Sequence, residues 1–182
     1  MNLLEQLFTI LAPYWEQEIE IKRNDFLAVP GDKNTNMYFV VDGSLRVYIE
    51  DDIEEHTIRF GYKNSFITAL DSFLKDIPTT FYIQAIKKCK LKVISKEVFL
   101  KCINTSKENQ TIWQNLLQEF VFQQIEREND LIIYSPQKRF ERVFKRSPQL
   151  FQEIPQKYIA SYLRMTPETL SRILKSLDSN QL

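Results

Sequence analysis

Histidine is almost absent from this chain: His56 stands alone among 182 residues. Cysteine is nearly as scarce, with only Cys89 and Cys102. A Cys/His zinc site, a metal cupin built on histidines and a four-cysteine cluster therefore all lack ligands. A Ser-His-Asp hydrolase would have to rest on His56, which sits in a polar stretch beside Glu54 and Glu55 with no nucleophile elbow near it. His56 reads as a solvated residue in a turn. No catalytic residue, metal site or cofactor is expected, and an enzyme is not the predicted class. No apolar run is long enough to span a bilayer, and the N-terminus lacks a basic region ahead of an apolar core. Reduced thiols and a cytoplasmic setting are the expectation. Net charge is also missing, since 24 basic residues balance 24 acidic ones.

The balance is uneven along the chain. From Ser135 onward there are nine basic residues and four acidic ones, so the remainder carries the excess acid. A basic tail on an acidic body points to a polyanion as the tail's partner. Within that tail, two helical patterns meet at a tight turn between Ile154 and Leu177. The first runs from Gln156 to about Leu163, with Ile159, Ala160 and Leu163 on one face. The second starts at Thr166, a threonine cap followed by Pro167 at the first helical position. Leu170, Ile173, Leu174 and Leu177 recur at helical spacing and face inward. Pro167, Glu168, Thr169, Ser171, Arg172 and Lys175 are left outside. This is a helix-turn-helix layout. Arg172 can pair with guanine and Glu168 can accept from cytosine, while the amides near Thr166 suit a phosphate. On spacing alone, an ordinary helical hairpin with a solvated face fits equally well.

Upstream, the chain opens with a helix over Asn2 to Leu11, stopped by Pro13, and a second short helix is predicted over Pro13 to Ile19. From Phe26 to Leu100 the pattern is mostly β. Its runs are Met37–Val41, Leu45–Ile49, Thr57–Phe60, Phe81–Ile86 and Leu91–Ile94, with Gly31 and Gly43 at turns that need positive φ. Such punctuation predicts a jelly roll or related barrel. A short helix is expected over Asp71 to Lys75, and Lys96 to Cys102 returns to helix. Glu108 to about Tyr134 reads as one long helix. Its stripe of Ile112, Trp113, Leu116, Leu117, Phe120 and Val121, widened by Phe122 and Ile125, implies two packing partners. One would be the chain's own β-domain and the other a second copy. A helix buried within one domain is the alternative. Ser135-Pro136 breaks it before a basic helix, Lys138 to Phe144. That helix, with Arg139, Arg142, Lys145 and Arg146 around it, either adds phosphate contacts or is a solvated face.

The order β-roll, long helix, helix-turn-helix resembles the Crp/Fnr family of transcription regulators, in the short form found in Bacteroidetes. The resemblance rests on Pro30-Gly31-Asp32 and the run from Met37 to Val47. It rests equally on Ile159-Ala160 and the run from Thr166 to Leu174. It implies an α+β fold. Residues 1–107 would be a cyclic-nucleotide-binding-like roll, 108–134 a dimerisation helix, and 135–182 a DNA-binding domain without the usual β-wing. It also implies a homodimer on a pseudo-palindromic operator of double-stranded DNA, with RNA polymerase and a small-molecule effector as further partners. Cyclic-AMP-binding relatives hold the phosphate with a Gly-Glu pair and an Arg-Ser pair. Here Ile67 and Thr68 stand for the first pair and Thr79 and Thr80 for the second, so the charge-assisted contacts are gone. Binding of cyclic AMP in the family manner is not expected. A degenerate pocket of Ile67, Thr68, Thr79, Thr80, Tyr82 and Gln84 either takes another small molecule or has collapsed.

In the reading helix, relatives often show Arg-Glu-x-x-x-Arg. Pro167 replaces the first Arg, while Glu168 and Arg172 keep the other places, and Thr166, Thr169 and Lys157 match phosphate-touching positions. The lost arginine removes a guanine contact worth ~1–3 kcal/mol. Arg164 stands where relatives place Gly in the turn, and a left-handed conformation there would cost about 1–2 kcal/mol. The rival reading is a sensing or protein-interaction module of the same fold with no operator.

Overall fold

The computed structural model describes residues 1–52 and 54–179, with side chains in the last helix described as far as Ser176. Leu177, expected to face inward, therefore lies outside the described side chains. The chain forms two compact units. One comprises residues 1–49 and 59–121, the other residues 50–58 and 122–182.

The first unit begins with α1 (Leu3–Leu11). Asn2 and Glu5 cap it reciprocally, which satisfies two of its orphan amides. Leu7 and Leu11, one turn apart, are fully buried. The predicted second helix is not there. Pro13 supports only a 3-10 turn over Ala12–Tyr14, and Gln17–Ile21 is instead strand β1. The physical reason is a period of two: Ile19 and Ile21 pack against the roll core, while Glu18 and Glu20 pair with Lys90, Lys92 and Lys88.

The remaining strands are β2 (Phe26–Ala28), β3 (Met37–Asp42), β4 (Ser44–Glu50), β5 (Glu55–Tyr62), β6 (Phe66–Ile67), β7 (Tyr82–Ala85) and β8 (Cys89–Ile94). They form two four-stranded sheets, in the orders β1-β8-β3-β6 and β2-β7-β4-β5. Tyr38, Val40, Leu91 and Val93 of one sheet share a core with Ala28, Leu45, Val47, Ile83 and Ala85 of the other. The register explains the sorting: Leu45 opposes Ala85 and Val47 opposes Ile83, all inward, so Arg46 opposes Gln84 and Tyr48 opposes Tyr82 on the other face. Gly43 turns β3 into β4 at φ +89°, and a Cβ there would lie 2.2 Å from the Lys88 carbonyl oxygen. Only glycine fits.

The short helix α2 (Leu70–Lys75) interrupts the strands as expected, and α3 (Lys96–Ile103) follows β8. Long helix α4 (Lys107–Ile132) would be about 39 Å long at the α-helical rise. Its first half buries Ile112 and Leu116 with Leu7, Leu11, Met37, Phe73, Ile94 and Phe99. Trp113 meets Phe99 edge-on at 5.0 Å between ring centroids. No described helix is long and apolar enough to cross a membrane.

The second unit holds the last part of α4, then α5 (Pro136–Arg146), α6 (Leu150–Glu153), α7 (Gln156–Tyr162) and α8 (Pro167–Ser179). The Ser135 hydroxyl accepts from the Lys138 amide and Pro136 opens α5, so the Ser-Pro break acts as a helix start. Phe140, Val143, Leu150, Ile154, Ile159, Ala160, Leu163, Leu170 and Ile173 are buried. Phe140, Phe144 and Phe151 form a three-ring cluster with centroids 5.2–5.5 Å apart.

Candidate nucleic-acid interface

The start of α8 is fixed by its own sequence. The Thr166 hydroxyl accepts from the Thr169 amide at 3.2 Å and meets the Thr169 hydroxyl at 3.1 Å. Leu170 and Ile173 are buried, so Thr166, Pro167, Glu168, Arg172 and Lys175 are exposed, with Thr169 and Ser171 half-buried beside them. Arg172 Nη2 donates to the Thr169 hydroxyl at 3.3 Å. The Glu168 carboxyl is held below its ordinary range, first by its own amide, then by the Thr166 hydroxyl and the Arg172 charge. It stays an acceptor at neutral pH. Lys157 is exposed on α7, with Nζ 4.5 Å from the centre of the Tyr158 ring. The eight residues expected to face DNA thus lie on α7, α8 and the turn between them.

That turn is a Schellman motif. The Met165 amide donates to Ala160 O at 3.0 Å and the Arg164 amide to Ser161 O at 3.1 Å. It requires a left-handed residue, and Arg164 takes it at φ +53°. What offsets the strain is a set of contacts that sequence reasoning missed. Arg139 Nε donates to Leu163 O and Nη2 to Arg164 O, both at 2.9 Å. Arg139 Nη1 donates to Ile133 O and Tyr134 O at 2.7 and 3.0 Å. Arg127 Nη2 donates to Tyr162 O at 2.5 Å, with its guanidinium 3.7 Å from the centre of the Tyr162 ring. Two arginines therefore satisfy three consecutive carbonyls at the end of α7, where the partial charge is negative. Burial pulls the Arg127 guanidinium below its ordinary range.

The Arg164 side chain has a second anchor. Its Nη1 lies 2.7 Å from His56 Nδ1, and His56 Nε2 lies 2.6 Å from Asp51 Oδ2. Because Arg164 only donates, Nδ1 accepts, and the ring proton sits on Nε2 facing Asp51. The Ser161 hydroxyl donates to Glu55 O and accepts from the Thr57 amide, each at 3.1 Å. His56 is therefore not a solvated turn residue. It lies on β5 with a side chain only 17% exposed.

The basic helix departs from expectation too. Arg139 is buried under the turn. Asp130, fully buried, accepts from Arg142 Nε at 2.9 Å and from Arg146 Nη2. Glu126 Oε2 lies 3.3 Å from both Arg142 and Arg146. Arg139 is thus taken up inside the unit, while Arg142 and Arg146, both partly exposed, are held in ion pairs. Lys138 and Lys145 remain exposed.

In the first unit, the expected pocket residues make mostly separate contacts. Ile67 is buried in the roll core. Thr68 donates to Asn36 O at 2.8 Å. Tyr82 stacks on Tyr48 with centroids 4.8 Å apart, and Gln84 accepts from Arg46 at 2.7 Å, both away from the core. Only Thr79 and Thr80 converge, on Asp71.

Residues 18–106 match the cyclic nucleotide-binding domain family. No curated protein matches the sequence. Among solved structures, a CooA variant from Carboxydothermus hydrogenoformans is 17% identical, with TM-score 0.74 over 98% of this chain and 85% of that one. The c-di-GMP-responsive global regulator CLP of Xanthomonas campestris is 16% identical, with TM-score 0.67 over 98% and 93%. The catabolite activator protein of Thermus thermophilus is 18% identical, with TM-score 0.59 over 99% and 88%. The chain has the fold of these regulators. A roll, a long helix and a C-terminal group of short helices account for nearly every described element.

Proposed function

We propose that the chain is a sequence-specific DNA-binding transcription regulator that works as a homodimer in the cytoplasm. The observation that carries this reading is α8: a capped helix whose first turns expose Pro167, Glu168 and Arg172 beyond a turn locked by Arg127 and Arg139. Residues 135–182 would supply the DNA-binding part. CLP is described as linking signalling to virulence gene expression, and another structural relative as a catabolite activator, which supports gene control here. The long helix, within residues 108–134, is the dimer element. Phe122, Ile125 and Ile132 on α4 are 57%, 49% and 79% exposed, a stripe at heptad-like spacing that a second copy would cover. Two copies of α8 would then enter successive major grooves of a pseudo-palindrome, roughly 34 Å apart.

The roll, residues 1–107, is a sensor domain that does not bind cyclic AMP in the family manner. Thr79 and Thr80 supply no positive charge, and both already bond Asp71. One observation favours the rival, an interaction module with no operator: Arg139 is buried beneath the turn, and Arg142 and Arg146 are already paired with Asp130 and Glu126. Selection from a random duplex pool at near-physiological salt separates the two. Enrichment of an inverted repeat, with affinity that falls steeply as salt rises, is the expected result. No enrichment, with or without added cell metabolites, would overturn the regulator reading.

A further inference from the structure

Within the second unit, the start of β5 is clasped to the turn ahead of α8, about a hundred residues further along the chain. The Ser161 hydroxyl donates to Glu55 O and accepts from the Thr57 amide, each at 3.1 Å. Beside it, Arg164 Nη1 lies 2.7 Å from His56 Nδ1, and His56 Nε2 lies 2.6 Å from Asp51 Oδ2. Asp51 is itself fixed: its Oδ1 accepts from the Glu54 amide at 2.8 Å, and its own amide donates to Glu54 O at 3.1 Å. The ring is therefore held at both nitrogens, between an anion ahead of β5 and a cation on the turn. It is also the only histidine in the chain, and histidine is the side chain that ordinarily changes charge between about pH 5 and 8.

Hydrogen-bond chemistry sets the state of the ring. Arginine only donates, so Nδ1 keeps its lone pair and the proton sits on Nε2, facing Asp51. A second proton would go to Nδ1, the atom that Arg164 needs as its acceptor. It would put two cations in contact on the turn side, while the pairing with Asp51 on the other side survives. The charged groups around the ring are Asp51, Arg164 and, within electrostatic reach of Arg164, Arg127 of α4. Arg139 of α5 donates to Arg164 O, and Glu54 and Glu55 precede the ring in the chain. We propose that His56 is a positioning residue for α8: its neutral ring pins the Arg164 side chain, and proton uptake releases the turn while the ring stays with Asp51. This rests on the reading of α8 as a DNA-reading helix. It goes further by naming a residue outside the helix-turn-helix that sets the turn, and acid as the signal that relaxes it.

The effect is local. Arg127 and Arg139 hold the backbone of the turn in either state, so acid removes one contact and leaves the unit folded. One hydrogen bond from a charged donor, traded for a like-charge contact, corresponds to about tenfold in the opening equilibrium of the clasp.

Amide hydrogen exchange of the full chain, corrected for the intrinsic effect of pH, reads the clasp without DNA. The reporters are the Thr57 amide, bonded to the Ser161 hydroxyl, and the Met165 amide, bonded to Ala160 O. In wild type their protection should fall about tenfold from neutral to mildly acid pH. The Phe99 amide of the first unit, bonded to Ser95 O, should hold. His56→Gln keeps an acceptor for Arg164 and a donor for Asp51 but takes up no proton. Its protection should match wild type at neutral pH and stay level in acid, whereas His56→Leu should show the acid value throughout. A level profile in wild type, or an equally steep one in His56→Gln, would overturn the proposal. On a selected operator at fixed ionic strength, wild-type affinity should fall over the same pH range and that of His56→Gln should not. Parallel affinity profiles would remove His56 from the positioning of α8. If no operator is enriched, the DNA reading fails by itself, and exchange still decides whether His56 pins the turn.

Discussion

Arg139→Met isolates what holds the reading helix in place. Methionine keeps the apolar stem beside Phe140 and Val143 but has no donors. Four hydrogen bonds of 2.7–3.0 Å disappear, and the carbonyls of Ile133, Tyr134, Leu163 and Arg164 lose a partner. At the low end for a charged donor, about 1.5 kcal/mol each, the gross loss is about 6 kcal/mol. Relief from keeping a guanidinium out of water offsets several kcal/mol of that. The expected net loss is about 3 kcal/mol. In a unit of this size that lowers its melting temperature by roughly 12–24 °C. Calorimetry of the full chain reads it, with wild type as the reference. Arg139→Lys keeps the charge without the planar fork and should fall between the two. A drop below about 4 °C for Arg139→Met, under about 1 kcal/mol, would refute the capping account.

The two turn glycines should separate in chemical denaturation. Gly43→Ala meets a carbonyl oxygen at 2.2 Å and should cost about 3 kcal/mol or more, while Gly31→Ala, in open space at φ +95°, should cost about 1–2 kcal/mol of strain. Equal costs would contradict the close approach at Gly43. On a selected operator, Arg172→Ala should flatten preference among sequences by ~1–3 kcal/mol at one base pair, and Lys157→Ala should weaken all sequences alike. Competition binding checks both, and an unchanged preference in Arg172→Ala would remove that residue from the code. Ile125→Asp, on the exposed stripe of α4, should move the chain from dimer to monomer in sedimentation; an unaltered dimer would place the interface elsewhere. For wild type, stability carried by Asp71 should be fully present above about pH 4 and fade below it; an acid profile identical to that of Asp71→Asn would show no such share.

The frame of the molecule is legible in the sequence because its signals are local. Thr166-Pro167 ahead of Leu170 and Ile173 announces a capped amphipathic helix, and the structure has it. Short strands between turn residues announce the roll, and Gly43 sits at positive φ as its turn requires. Strand β1 escapes such a reading because Pro13 suggests a helix start, although Ile19 and Ile21 alternate with Glu18 and Glu20. The arginines escape it for another reason. Counting basic residues treats each as solvated, but Arg139 stands beside Phe140 and one turn before Val143, on the buried face of α5. That spacing is the available signal. Nothing local announces Asp130 or Glu126 as the partners of Arg142 and Arg146, because those acids lie more than ten residues upstream on another helix.

Arg164 and Asp71 make the same physical point. At each, a residue-by-residue match to the family finds something missing: a glycine in the turn, a charged contact in the roll. Loss alone would leave a strained turn and a row of unpaired donors. In each place the structure instead holds a substitute drawn from the chain itself. Arg127 and Arg139 over-determine the left-handed turn, and Asp71 saturates the donors at Thr79 and Thr80. A local rule can be broken when distant contacts restore consistency. The two substitutions also differ in kind. The arginine caps hold the turn geometry that the proposed DNA reading by α8 needs. The Asp71 carboxylate ties the end of the loop after α2 back to the start of that helix, so it serves the fold of the roll.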